Sequence, residues 1–205
     1  LGLILVVIAG AELFTGNNLI VMSWISGNIS LLRLARNWGI VYIGNLLGAL
    51  SVVGFAYYTE VWALDDSAVG ANALLIANAK VSLSFPSALA RGILANALVC
   101  LAIWLAYSAR SVTDKILAVI FPITAFVASG FEHSIANMFF IPVGMLLTKD
   151  AAVLESAGVT GSELADLNLV GFVNNLIPVT LGNIIGGGIM VAAVYWFIYL
   201  RRRWR

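Results

Sequence analysis

His133 is the only histidine in the chain, and it stands between Glu132 and Ser134 with Asn137 one helical turn on. An imidazole with a reference pKa of about 6.5 can lend a proton, donate a hydrogen bond to an anion or activate a nucleophile. The last use is the poorest fit. Adjacent residues on a helix point about 100° apart, which suits no Ser134–His133 nucleophile–base pair, and no second acid–base pair replaces it, so no enzyme is expected. The flanks decide where the chemistry sits. Residues Ile116 to Ala128 and Met138 to Leu147 suit hydrocarbon, and the whole block exceeds the roughly 20 helical residues that span a bilayer. Its polar centre therefore falls near the membrane midplane, where ionisable groups are costly and mark a transport path or a reaction site. Gly130 predicts a helix break there, with half-helix ends satisfied inside protein or by a water-filled cavity. The plainer reading makes Glu132 and His133 core polar groups that tie helices together; four polar residues at one break weigh against it.

The elements that must position these groups follow from composition. The chain has 205 residues, 61% of them hydrophobic and 10% charged, with six tryptophans and six tyrosines. A soluble domain carries about 25% charged residues, so this is an integral membrane protein with aromatic anchors for the interface. The net charge of +1 says nothing about partners, no nucleic-acid partner is expected, and Cys100, the single cysteine, forms no internal disulfide. No metal or cofactor is expected. The chain opens on Leu1 inside an apolar run, without a basic flank, which reads as a missing preceding segment rather than a signal peptide.

Five apolar spans are predicted in one domain over residues 1–205: about 1–26, 38–58, 86–107, 116–147 and 177–200. The intervening loops alternate in charge. Arg33, Arg36, Arg110, Lys115 and the tail Arg201, Arg202, Arg203 and Arg205 place eight of the eleven basic residues on one side. Glu60, Asp65, Asp66, Glu155, Glu163 and Asp166 fall on the other. Basic loops stay cytoplasmic, so the C-terminus is expected in the cytoplasm and a sixth span is expected before Leu1. Counted that way, the spans are helices 2 to 6. Helix 2 carries its own midspan polar patch, Glu12-Leu13-Phe14-Thr15-Gly16-Asn17-Asn18. Matched patches in helices 2 and 5, running in opposite directions, are the pattern of an inverted repeat with a site at the midplane. Glycines along helices 3 and 6 suit close packing in lipid. Asn45, Asn96 and Asn183 suit interhelical hydrogen bonds, the last two also a lining role.

Ser129-Gly-Phe-Glu-His-Ser-Ile-Ala-Asn-Met-Phe resembles the signature of the formate–nitrite transporter family, and Gly10-Ala-Glu-Leu-Phe-Thr resembles its broken second helix. Gly92-Ile-Leu-Ala-Asn-Ala-Leu-Val-Cys and Asn183-Ile-Ile-Gly-Gly-Gly resemble its helices 4 and 6. The likeness extends over essentially the whole chain and is nearest in texture to the bacterial formate channels. It implies an all-α, aquaporin-like bundle of six helices with an inverted repeat, assembled as a homopentamer in the bacterial inner membrane. Each protomer would hold its own path. Residue by residue, the resemblance gives His133 and Thr15 to the substrate path, where the midspan amide Asn183 is also expected, and Leu3, Leu13 and Phe126 to apolar constrictions. It gives Lys80, Asn96 and Glu132 to a buried polar cluster beside the path; the residue pattern alone reads Lys80 as a loop lysine.

The function so implied is a channel for small monovalent anions, formate first, across a lipid bilayer, with His133 as a pH-sensitive donor. Nitrite or hydrosulfide as substrate, and proton-coupled transport of formate by the same residues, stand beside it.

Overall fold

Hydrophobic runs set the helices, and short polar side chains set where they start. The computed structural model describes residues 1–201. Its α-helices are α1 (Gly2–Ala9), α2 (Val21–Ile25), α3 (Leu31–Tyr58), α4 (Ala68–Val81), α5 (Phe85–Ser108), α6 (Val112–Ala128), α7 (Ser134–Leu147), α8 (Ala151–Ala157) and α9 (Leu169–Ile184). Helix α9 continues as a wider coil to Leu200, and no strand occurs among the described residues. Side chains of Ser30, Ser111, His133, Asp150 and Asn168 accept backbone N–H groups at the starts of α3, α6, α7, α8 and α9. Each satisfies donors that a helix start leaves unpaired. Arg202, Arg203 and Arg205, counted above in the basic tail, lie outside the described residues.

The expected helices 3 and 4 correspond to α3 and α5. Helix 6 starts at Leu169 rather than near Ile177, because the amide of Asn168 caps it and the chain turns into helix before the hydropathy rises. The two expected breaks are present. Gly10 (φ 74°) ends α1 and Gly130 (φ 63°) follows α6; a left-handed turn strains L-residues but not glycine. Helices 2 and 5 are thus each two short pieces. Among the described residues, only α3, α5 and the Leu169–Leu200 helix are long and apolar enough by themselves to cross a membrane.

Helix α4 is a correction to the reading of residues 59–85 as a loop. Its 14 residues are too few to span, and Asn72, Asn78 and Lys80 interrupt the apolar run, so hydropathy hides it. Packing reveals it: Leu74 and Ala77 are wholly buried with Met138 and Ile141 of α7, and α7 turns by 109° into α8 against the same face. Helices α5 and α9 touch backbone to backbone. A Cβ on Gly92 would lie 2.8 Å from the Val179 carbonyl oxygen, and one on Gly182 would lie 2.9 Å from the Ile93 nitrogen. Lipid gives no hydrophobic drive between helices, so such close approach and polar bonds supply the association. The α5–α9 contact fixes the level at which the two broken helices meet.

Candidate functional site

The two helix breaks face each other at a single hydrogen bond. His133 Nε2 lies 2.9 Å from Thr15 Oγ1. The Ala136 N–H donates to His133 Nδ1 at 3.1 Å, so the neutral ring carries its hydrogen on Nε2 and donates to the threonine. His133 is thus at once the cap of α7 and the group turned toward helix 2. It is 8% exposed, whereas Thr15 is fully buried. His133 lines a cavity of about 450 Å³ together with Leu3, Leu13 and Phe126, and the Phe126 ring centroid lies 6.0 Å from the imidazole. The three residues expected at the constriction therefore share one wall with the histidine. Thr15 stands behind His133, off the cavity surface. Ile135 and Ala136 of α7 line the cavity too, as do Val99, Ile123 and, from the helix 2 break, Glu12; the start of α7 directs a positive helix end at the space.

Asn183, expected on the path, is instead a brace. It is fully buried. Its Nδ2 donates to the Gly92 carbonyl at 2.8 Å and to the Glu132 carbonyl at 3.1 Å, and its Oδ1 accepts the Ser134 N–H at 2.9 Å. The amide is consumed in tying α5 and α9 to the helix 5 break.

Asn96, expected beside Lys80 and Glu132, also differs. Its Nδ2 donates to the carbonyls of Asn183 (2.6 Å) and Thr15 (3.2 Å), so it braces the helix 2 break and reaches Glu132 only through Asn183. Lys80 and Glu132 do meet, at 2.8 Å, with side chains 14% and 4% exposed. The place expected for Asn96 is taken by Asn137, whose Nδ2 donates to Glu132 Oε2 at 2.6 Å and to Asn175 Oδ1 at 2.7 Å. Asn175 Nδ2 closes the ring on the Lys80 carbonyl at 2.8 Å. A buried ion pair keeps its charges only with such further hydrogen bonds.

Asn45 makes the interhelical hydrogen bonds expected of it, gripping the helix 2 break from α3: it accepts the Phe14 N–H and donates to the Glu12 carbonyl, each at 3.0 Å. Two participants escaped the sequence. Asn175 precedes the hydropathy peak that marks helix 6. Arg91 sits in α5 level with the helix 5 break: its carbonyl accepts the Glu132 N–H and its guanidinium donates to the Gly130 carbonyl, each at 3.4 Å. A charge inside an apolar helix was the available signal. Hydrolase chemistry finds no support, because Ser134 Oγ is buried without a partner and both His133 nitrogens are engaged elsewhere.

The model of formate/nitrite transporters matches residues 1–197. The chain belongs to the formate/nitrite transporter family. "Formate channel FocA" of Escherichia coli K12 is 48% identical over 205 residues, covering 98% of this chain and 72% of the relative. "Formate channel FocA" of Haemophilus influenzae is 42% identical, covering 93% and 68%. A solved "Pentameric formate channel with formate bound" superposes with a TM-score of 0.89 at 48% identity, over 98% of this chain and 80% of that one. A second, an "FNT family ion channel", gives 0.80 at 31% identity, over 95% and 72%. The all-α fold with two broken helices is thus that of formate/nitrite transporters.

Proposed function

We propose that this chain is a channel for small monovalent anions, with formate as its principal substrate, working as a homopentamer in the bacterial inner membrane. Its residues 1–205 act as one channel domain with a cytoplasmic C-terminus. The observation that carries the reading is the donor at the neck: His133 Nε2–H, engaged only by Thr15, in the wall that Leu3, Leu13 and Phe126 make apolar. Burying a carboxylate without partners is costly. Here the imidazole, the start of α7 and the nearby Lys80 ammonium together lower that cost. Leu3, Leu13 and Phe126 exclude water and so hold back hydrated ions. The relatives' names favour formate over nitrite and hydrosulfide.

Flux of formate, nitrite and hydrosulfide into liposomes carrying the purified protein tests the substrate, and single-channel current separates a channel from proton-coupled transport. Formate is expected to pass fastest, with resolvable current steps. Saturable, gradient-coupled flux without current, or faster passage of another anion, refutes the corresponding half of the reading. For orientation, cysteines placed at Asp65 and Arg33 are expected to label from opposite sides with an impermeant thiol reagent; labelling of both from one side refutes it.

A further inference from the structure

A second cavity adjoins the one at His133. Val6 of α1 lines both, and the second holds about 250 Å³. The same three helices line the two. Helix α1 runs from Leu3 to Val7, α5 from Val99 to Ile103 and Ala106, and α6 back from Phe126 and Ile123 to Lys115. The character changes between them: the first cavity is walled mainly by aliphatic and aromatic groups, and the second includes Tyr107 and Lys115 in its lining.

Lys115 is half-buried and, among the described residues, has no ion-pair partner. The ion pair among the described residues is Lys80–Glu132. Asp114, its sequence neighbour, accepts the Ser111 N–H in the capping box of α6 and borders a different hollow with Arg110. A half-buried ammonium is desolvated at a cost and normally recovers it from an anion. The anion that can reach this one is whatever occupies the cavity.

We propose that Lys115, with Tyr107 lining the same cavity, is the anion-capture site at the Arg110 end of the path, taking a small monovalent carboxylate or oxyanion before it meets the apolar neck. The proposal rests on the anion-channel reading above. An ammonium offers three donors and a compact charge. Charge focused by low-dielectric walls raises the local concentration of a counter-ion, and salt screens the effect. The capture site therefore acts on the concentration needed from one side and leaves the crossing of the neck unchanged.

The experiment is formate flux in liposomes with the full-length protein in known orientation, with substrate supplied from each side at low ionic strength. Lys115→Gln is expected to raise KM from the Arg110 side roughly threefold to tenfold, near the lower end of what focused charge delivers. KM and maximal flux from the opposite side stay as in the wild type, while maximal flux from the Arg110 side rises with KM, because a passive path keeps the same ratio of maximal flux to KM from both sides. Lys115→Arg keeps KM, and at about 1 M salt, where screening acts within about 3 Å, Lys115→Gln and wild type converge. A second arm uses Lys115→Cys, modified with a positively or a negatively charged methanethiosulfonate; Cys100 is buried and leaves little background. The positive adduct restores the low KM and the negative one raises it further. An unchanged KM, or an equal rise from both sides, overturns the proposal. Wild-type protein that carries nitrite instead of formate refutes the formate reading alone, and the same comparison is then read with nitrite. Wild-type protein that carries no anion refutes both.

Discussion

Asn183→Ala separates a brace from a pore lining. The wild-type amide makes three side-chain hydrogen bonds, to Ser134, Gly92 and Glu132, and is 0% exposed. Interhelical hydrogen bonds in membrane proteins average about 0.6 kcal/mol, and protein hydrogen bonds in general about 1 kcal/mol net. Loss of three therefore costs about 2–3 kcal/mol, more where the Ser134 N–H is left buried without an acceptor. For a chain of this size each kcal/mol lowers Tm by about 2–4 °C, so a fall of about 4–12 °C is expected. Asn183→Asp keeps the acceptor for Ser134 but loses both donors and sets a carboxylate against two carbonyls, so it is expected to fall further. Scanning fluorimetry of the detergent-purified protein measures the shift, and liposome flux measures the consequence for His133, which the Ser134 bond helps to place. Both variants are expected to lose stability first and flux with it. An Asn183→Ala protein with wild-type Tm but altered anion selectivity would refute the brace and return Asn183 to the path.

Four further outcomes follow from the same geometry. His133→Asn retains a donor toward Thr15 but does not titrate, so formate flux is expected to persist while any response to pH that the histidine supplies disappears; a full pH response in that variant makes the histidine structural. Lys80→Met and Glu132→Gln each leave one buried charge unpaired, at a cost of about 3–5 kcal/mol, and the double variant is expected to melt above either single one; additive losses refute the pairing. Phe126→Ala removes half-buried aromatic bulk from the cavity wall and is expected to admit acetate, whereas continued exclusion of acetate from a faster formate flux puts the neck elsewhere. In the exposed Thr160–Leu164 turn, hydrogen bonds from the Thr160 backbone, then its hydroxyl, hold the Glu163 carboxyl below the usual carboxylate range. The turn is therefore firmest above that range and loosens as pH falls through the lowered pKa; amide exchange that does not quicken there at acid pH refutes the capping role.

Composition and order along the chain determined the membrane class, the apolar blocks and both breaks, because hydropathy and glycine placement are local and additive along the sequence. Gly10 and Gly130 announce their turns without knowledge of any neighbour. The resemblance carried by residues 129–139 reached further, to Lys80, which local pattern reads as a loop residue. What the sequence did not carry is partnership across distance. Lys80 and Glu132 lie 52 positions apart, and Asn183 and Gly92 lie 91 apart; no periodicity links them. A midspan asparagine looks the same whether it lines a path or holds two helices together. Only the approach of α5 to α9 at Gly92 and Gly182, close enough for backbone contact, decides that Asn183 and Asn96 turn inward as braces. Of the midplane polar groups, His133 and Glu12 keep a face on the cavity.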